Sequence, residues 1–155
     1  MIKMYLKKTI ATISFTLLAA MAAFAQTSAP ASLKDNDNKT AIEVYNIMKG
    51  QGGASIGKGK SKATPSKAFP KVSISGYAVK VGPDVYGLPS VELSDTKGGK
   101  TRILCVLPFT DYLKLRHVSK GDKVTMKGEV RGYADEYDFV LVKQSTIESV
   151  NGKKP

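Results

Sequence analysis

Cysteine and histidine occur once each in the 155 residues, and tryptophan is absent. A lone Cys105 excludes an internal disulfide, so stability has to come from an apolar core. Set mid-strand between Leu104 and Val106, it reads as a small buried hydrophobe rather than a reactive thiol or metal ligand. A lone His117, beside Arg116, has no second ligand or base partner nearby in sequence, so a catalytic role is not the reading favoured for it. It stands at the end of a helical stretch, where an imidazole interacts favourably with the helix dipole. No cofactor is implied. Long apolar runs are missing too: the longest greasy stretch, residues 9–25, is 17 residues, shorter than the roughly 20 that cross a bilayer.

That stretch has a different reading. Lys3, Lys7 and Lys8 precede it, and Ala23, Phe24 and Ala25 close it before Gln26. A charged start, a short apolar centre and a small-x-small end make a secretory signal peptide, with cleavage expected between Ala25 and Gln26. No cysteine stands at that point, so the expectation is a periplasmic or secreted chain without a lipoprotein anchor or a transmembrane anchor.

Lys and Arg number 24 against 13 Asp and Glu, a formal net charge of +11 that suggests a polyanion partner at first sight. The distribution argues otherwise. Losing Lys3, Lys7 and Lys8 leaves +8, and residues 49–71 carry six lysines (49, 58, 60, 62, 67 and 71) without one acid. Residues 72–148 hold eleven basic and ten acidic side chains, a net +1. The positive charge therefore belongs to a linker rich in Gly, Ser, Lys and Pro, read as flexible, and to a basic tail over residues 149–155. Within the linker, residues 54–61 imitate a phosphate loop, with Ala54 in place of the first glycine. No strand precedes them, Pro65 and Pro70 follow, and the match is read as coincidence. Ahead of the linker, Ile42, Val44, Tyr45 and Ile47 follow Thr40 as a possible cap, which predicts a short amphipathic helix over residues 40–48, docked on the rest of the chain or on a partner.

From residue 72 onward the period changes to two. Val72, Ile74 and Ala78 alternate with Ser73, Ser75 and Tyr77, and Val79 and Val81 continue on the opposite parity, which predicts a bulge near Gly76. Val91 and Leu93 form a second strand, residues 95–100 with Gly98 and Gly99 a hairpin turn, and residues 102–107 a third strand apolar on both parities. Pro108 ends it. Thr110 or Asp111 is placed to cap a helix carrying Tyr112, Leu113, Leu115 and Val118, with Gly121 just past its end. Val124, Met126 and Val130 alternate in a fourth strand with Gly128 at a corner, residues 132–138 link onward, and residues 139–142 are the apolar centre of a fifth. Three strands, a helix and two strands in that order predict a mainly β, five-stranded Greek-key barrel of the oligonucleotide/oligosaccharide-binding (OB) type over residues 72–148.

The glycine-bearing strand at residues 72–76, the strand at Val91, Glu92 and Leu93, and the turn at Lys120, Gly121 and Asp122 leading into residues 124–128 together resemble the exported bacterial OB-fold family called tRNA-anticodon-binding-like (tRNA_anti-like). The resemblance implies a binding module, not an enzyme. In such barrels ligands lie across the second and third strands between the first-second and fourth-fifth loops, which here selects Tyr86, Lys100, Arg102, Arg131, Tyr133 and Tyr137, with Glu92 nearby. Tyrosines stack on sugars or bases, and Arg and Lys hold phosphate or carboxylate. Asp135, Glu136 and Asp138, read as a solvated acidic loop, repel a phosphate backbone and suit sugar hydroxyls, a cation or a basic partner. The expected ligand is an envelope protein, peptide or oligosaccharide. The alternative is single-stranded nucleic acid held with help from the basic linker.

Overall fold

The computed structural model describes residues 32–51 and 69–155; the leader expected over residues 1–25 and the lysine tract between residues 52 and 68 lie outside them. The elements are β1 (Asn38–Thr40), α1 (Ala41–Gly50), β2 (Lys71–Pro83), β3 (Pro89–Ser94), β4 (Ile103–Val106), a 3₁₀ segment (Phe109–His117), β5 (Lys123–Ala134) and β6 (Phe139–Val150). Pairing runs β2-β3-β4-β6-β5 and returns to β2, closing a five-stranded barrel, with β4 and β6 parallel. The predicted OB-type order holds.

One long strand makes closure possible. The first half of β2 pairs with β5 as far as Tyr77 with Lys123, and the second half pairs with β3 from Tyr77 with Ser94 onward. The predicted bulge sits three residues later than expected: the shift lies between Ala78 and Lys80, leaving Val79 as the extra residue. Gly76 pairs regularly with Val124. Its missing side chain serves a close approach instead, because a Cβ there would stand 2.8 Å from the Ser94 carbonyl oxygen and 3.1 Å from the Ala41 Cβ. Gly128 does sit at a corner. Opposite it β6 places two residues against one, Gln144 in the left-handed region at φ 50° and the buried Ser145, and a Cβ on Gly128 would meet Ser145 Oγ at 2.6 Å and Val142 Cγ1 at 2.7 Å.

The short strand β1 was not expected. It pairs in parallel with residues 73–75 of β2, on the edge that β3 does not reach. Three residues carry no readable alternation, so only the pairing reveals them. From β1 the chain enters α1 through a capping box, in which Thr40 Oγ1 accepts from the Glu43 amide at 3.4 Å and Glu43 Oε2 accepts from the Thr40 amide at 2.7 Å. Ala41, Val44 and Tyr45, spaced i, i+3, i+4, are buried in the same core as the barrel interior. The helix thus docks on the barrel.

The predicted capped α-helix after Pro108 is instead a 3₁₀ segment beginning at Phe109, and neither Thr110 nor Asp111 caps it. Asp111 pairs with Lys114 Nζ at 3.0 Å instead. At three residues per turn, positions 112, 115 and 118 fall in one row and Leu113 turns away. Leu115 and Val118 plug the barrel, while Tyr112 and Leu113 are 50% and 69% exposed. The connection expected over residues 132–138 shortens to residues 135–138, because register shifts between Val130 and Gly132 let β5 continue to Ala134. After β6, Asn151 ties back: its Nδ2 donates to Asp122 Oδ1 at 2.8 Å, and its Oδ1 accepts from the Lys123 amide at 2.9 Å.

Candidate functional site

The outer surface of β3, β4 and β6 is built by the pleat. Val91, Leu93, Ile103, Cys105, Val140 and Val142 are fully buried, so the residues between them point outward. The register places Glu92 beside Leu104 and Leu104 beside Leu141, all half-buried. Phe139, two residues before Leu141, extends this strip, and Tyr137, 68% exposed, stacks on it with ring centres 5.7 Å apart. Nearby, the Arg131 guanidinium stands 4.2 Å over the Phe69 ring and donates to Glu129 Oε2 at 2.6 Å. Glu92 accepts from Thr101 Oγ1 at 2.7 Å and faces Lys80 Nζ at 3.3 Å. The result is an apolar strip bordered by paired charges on a rigid sheet.

At one end of this strip, Asp138 gathers three of the six residues expected to bind ligand. Its Oδ1 accepts from Tyr45 and Tyr133 hydroxyls, both at 2.5 Å, and from Lys49 Nζ at 3.0 Å. Its Oδ2 accepts from Lys100 Nζ at 2.6 Å and lies 3.9 Å from an Arg102 guanidinium nitrogen. Arg102 stands 4.6 Å over the Tyr45 ring, with its Nε 3.8 Å from Asp95 and lacking a hydrogen-bond partner. The Tyr45 and Tyr133 rings meet edge to face at 5.8 Å. The donors, Lys100 first and then Tyr133 and Tyr45, hold the Asp138 carboxyl well below the usual carboxylate range. The Tyr133 hydroxyl is pushed up to about 12 by its bond to Asp138, and the Lys49 ammonium is raised by the Tyr45 hydroxyl and then by Asp138. The ionised Asp138 carboxylate orients four donors, Tyr45, Lys49, Lys100 and Tyr133.

The reading of residues 135, 136 and 138 as one solvated acidic loop is corrected here. Asp135 and Glu136 are exposed, but Asp138 turns inward from a tight turn in which its own amide and that of Tyr137 both donate to the Ala134 carbonyl. The turn needs Asp138 at φ 57°, a conformation that aspartate tolerates better than most residues. Tyr86 lies elsewhere. Pro89 at the start of β3 accepts from the Leu107 amide just past β4, so the β2–β3 loop leaves the barrel at the opposite end from residues 135–138. Tyr86 is 85% exposed there, its amide bonded to Asp84 Oδ1. The sequence also missed Tyr45 and Lys49, whose one signal is their i, i+4 spacing on a helix.

Cys105 is buried and its thiol is pushed up to about 12 by that burial. Among the described residues, no three His, Cys, Asp or Glu side chains gather to hold a metal ion, and no helix is long and apolar enough to cross a membrane.

No curated protein matches this chain. Among solved structures it is similar to a lipoprotein from Klebsiella pneumoniae subsp. pneumoniae to which nucleic-acid binding is ascribed, at 13% identity over 53% of this chain and 72% of that one, with a TM-score of 0.42. It is also similar to an OBody bound to hen egg-white lysozyme, at 21% identity over 66% of this chain and 98% of the other, with a TM-score of 0.38. The tRNA_anti-like family model matches residues 1–146, nearly the whole sequence. With that match and a closed five-stranded barrel in OB order, the chain belongs to the tRNA_anti-like family.

Proposed function

We propose that this protein is an exported, non-enzymatic OB-fold binding module that holds an envelope protein, peptide or oligosaccharide on the outer face of β3, β4 and β6. The observation that carries the reading is the strip of Leu104, Phe139 and Leu141, which leaves apolar area half-exposed on a rigid sheet and borders it with Tyr137 and Arg131. Aromatic and arginine side chains around an apolar centre are the usual anchors of peptide and sugar sites. Lys100, Arg102 and Tyr133 shape one rim through Asp138, and Tyr86 stands at the other. A barrel with eleven basic and ten acidic side chains offers little drive for a polyanion. The leader pattern before Gln26 supports export, and the absence of a cysteine at that point supports a product without a lipid anchor.

The test is a titration of the chain from Gln26 onward against envelope peptides, an envelope-glycan panel and labelled single-stranded DNA and RNA, at low and high salt. Tyr137→Ala and Arg131→Ala are each expected to weaken the ligand by about ten-fold, the size of a modest hot spot. Removing residues 26–71 is not a clean control, because Ala41, Val44 and Tyr45 fill the core. Replacing Lys58, Lys60, Lys62 and Lys67 with Gln isolates the tract instead. Binding restricted to nucleic acid, steeply salt-dependent and lost in that variant, would replace the proposal with the single-stranded nucleic-acid reading.

A further inference from the structure

Six of the eight large hydrophobic side chains exposed among the described residues gather at one end of the barrel: Val85, Tyr86 and Leu88 on the β2–β3 loop, and Phe109, Tyr112 and Leu113 on the 3₁₀ segment. β3 begins where β4 ends, with Ser90 paired to Val106, so the two segments leave side by side. The loop is held by its own hydrogen bonds. Asp84 Oδ1 accepts from the Tyr86 and Leu88 amides at 2.8 and 2.9 Å, and the Asp84 amide donates to the Leu88 carbonyl at 2.8 Å. On the 3₁₀ segment the Phe109 and Tyr112 rings stack with centres 6.3 Å apart. These side chains are presented on an ordered backbone, so docking them costs little further ordering.

This end carries both halves of a contact. Beside the protruding Val85 and Phe109, 91% and 70% exposed, Val81, Gly82, Tyr112, Leu113 and Leu115 line a groove of about 300 Å³ with Arg116 at its edge. The charges balance too. Asp84 and Asp111 stand against Lys114 and Arg116, with Lys114 Nζ 3.0 Å from Asp111 and His117 accepting from Arg116 Nε. Further along, Lys120 is matched by Asp122. A two-fold contact brings a surface against itself, so a patch with a charge excess repels its own image, whereas a balanced one does not. At their fractional exposures the six residues leave on the order of 750 Å² in water, close to the roughly 800 Å² that each partner contributes to an interface of standard size.

We infer that the chain pairs with a second copy of itself through this end, in a two-fold contact whose apolar centre is Val85, Phe109, Tyr112 and Leu113 and whose border is Asp111, Lys114 and Arg116. Apolar and aromatic side chains at the centre with charges at the rim are the composition of homodimer interfaces. Each copy's protruding side chains enter the groove of the other, so one knob-and-groove fit is made twice. An anionic surface or a polyanion finds no net charge here to draw it. The strip around Leu104 and Leu141 stays uncovered, so pairing does not compete with the ligand face.

Sedimentation velocity of the chain from Gln26 onward, which keeps every described residue, tests the inference across a concentration series. A monomer–dimer equilibrium in the micromolar range or tighter is expected. Phe109→Ser with Leu113→Ser should raise the dissociation constant by at least about ten-fold. Both side chains are exposed, so the dilute variant should keep the circular dichroism of the native chain. The charges supply a readout that a folding defect cannot imitate. Arg116→Glu makes each end acidic and Asp111→Lys makes it basic, so each variant should dimerise several-fold less well alone, and an equimolar mixture should form heterodimers. Because the sequence has no tryptophan, Phe109→Trp supplies a single reporter whose emission should shift to the blue as the chain is concentrated. The inference is overturned by a chain that stays monomeric at roughly 100 µM, or by a dimer that Phe109→Ser with Leu113→Ser leaves intact. Charge variants that pair no better mixed than alone, or a tryptophan that stays in water while the chain dimerises, overturn it as well. So does a monomer that floats with lipid vesicles, which would give this end to a bilayer.

Discussion

Asp138 shows how one side chain joins three parts of the chain that share no local signal. Tyr45 and Lys49 come from α1, Lys100 and Arg102 from the β3–β4 connection, and Tyr133 from the end of β5. Its carboxyl is held below the unfolded value of about 3.9, so its contribution to stability is fully present above that pH and is lost as pH falls through the lower folded value. Asp138→Asn should therefore melt a few degrees lower than the native chain at neutral pH, and circular dichroism melts across a pH series should show that gap narrowing only below about pH 4. A gap that ignores pH would remove the carboxylate from the explanation. The hydroxyl of Tyr133 follows the opposite sign. Raised to about 12, it adds stability below the ordinary tyrosine value of about 10 that is lost as pH climbs through 12, and Asp138→Asn should bring its tyrosinate absorbance step down toward the ordinary value. Tyr133, Lys100 and Arg102 were legible as candidates because loop positions and residue chemistry single them out. Asp138 as their common partner was not, since its hydrogen bond to Tyr45 spans 93 positions.

At the scale of elements, close approach matters as much as periodicity. Gly76 lets α1 and the end of β3 press against β2, and Gly76→Ala sets a methyl 2.8 Å from a backbone oxygen that has no rotamer to escape with. A loss of about 1–3 kcal/mol in urea unfolding is expected, and a neutral result would mean that α1 shifts freely on the barrel. The cap is the second test. Thr40→Ala removes the acceptor for the Glu43 amide and should cost about 1 kcal/mol, whereas Thr40→Ser should retain most of it. That helix was legible from Thr40 and the spacing of Val44 and Tyr45, which is local information. The 3₁₀ segment was legible in place but not in type, because the spacing of Tyr112, Leu115 and Val118 suits either pitch. The bulge at Val79 was legible only as a change of parity, since its position depends on which β3 residue is opposite.

For the whole molecule, the core is one continuous packing of barrel and helix, and Cys105 reports on it. The thiol is fully buried and pushed up to about 12, so a thiol reagent should react only through global opening. Labelling should be slow in native buffer, and Gly76→Ala should accelerate it by roughly the factor in which that change reduces the folding equilibrium. Fast labelling independent of stability would indicate a local route to β4. Charge is divided by region as well: the near-neutral barrel carries an apolar strip on one face and a cluster of exposed apolar side chains at one end, whereas the excess lysines lie in the tract between α1 and β2.

Strand order, the position of α1 and its cap, the glycine corner at Gly128 and the buried character of Cys105 were decided by the sequence itself. Each rests on a repeat or contact within a few residues, and a period of two or a side chain reaching its own helix end survives without knowledge of the rest of the chain. Tertiary structure alone decided the pairing of β1 with β2, the exact bulge at Val79, the gathering of four donors around Asp138 and the collection of six exposed hydrophobics at one end. Those depend on the register by which the barrel closes, which brings together residues far apart in sequence and becomes fixed only when every strand has met its neighbour.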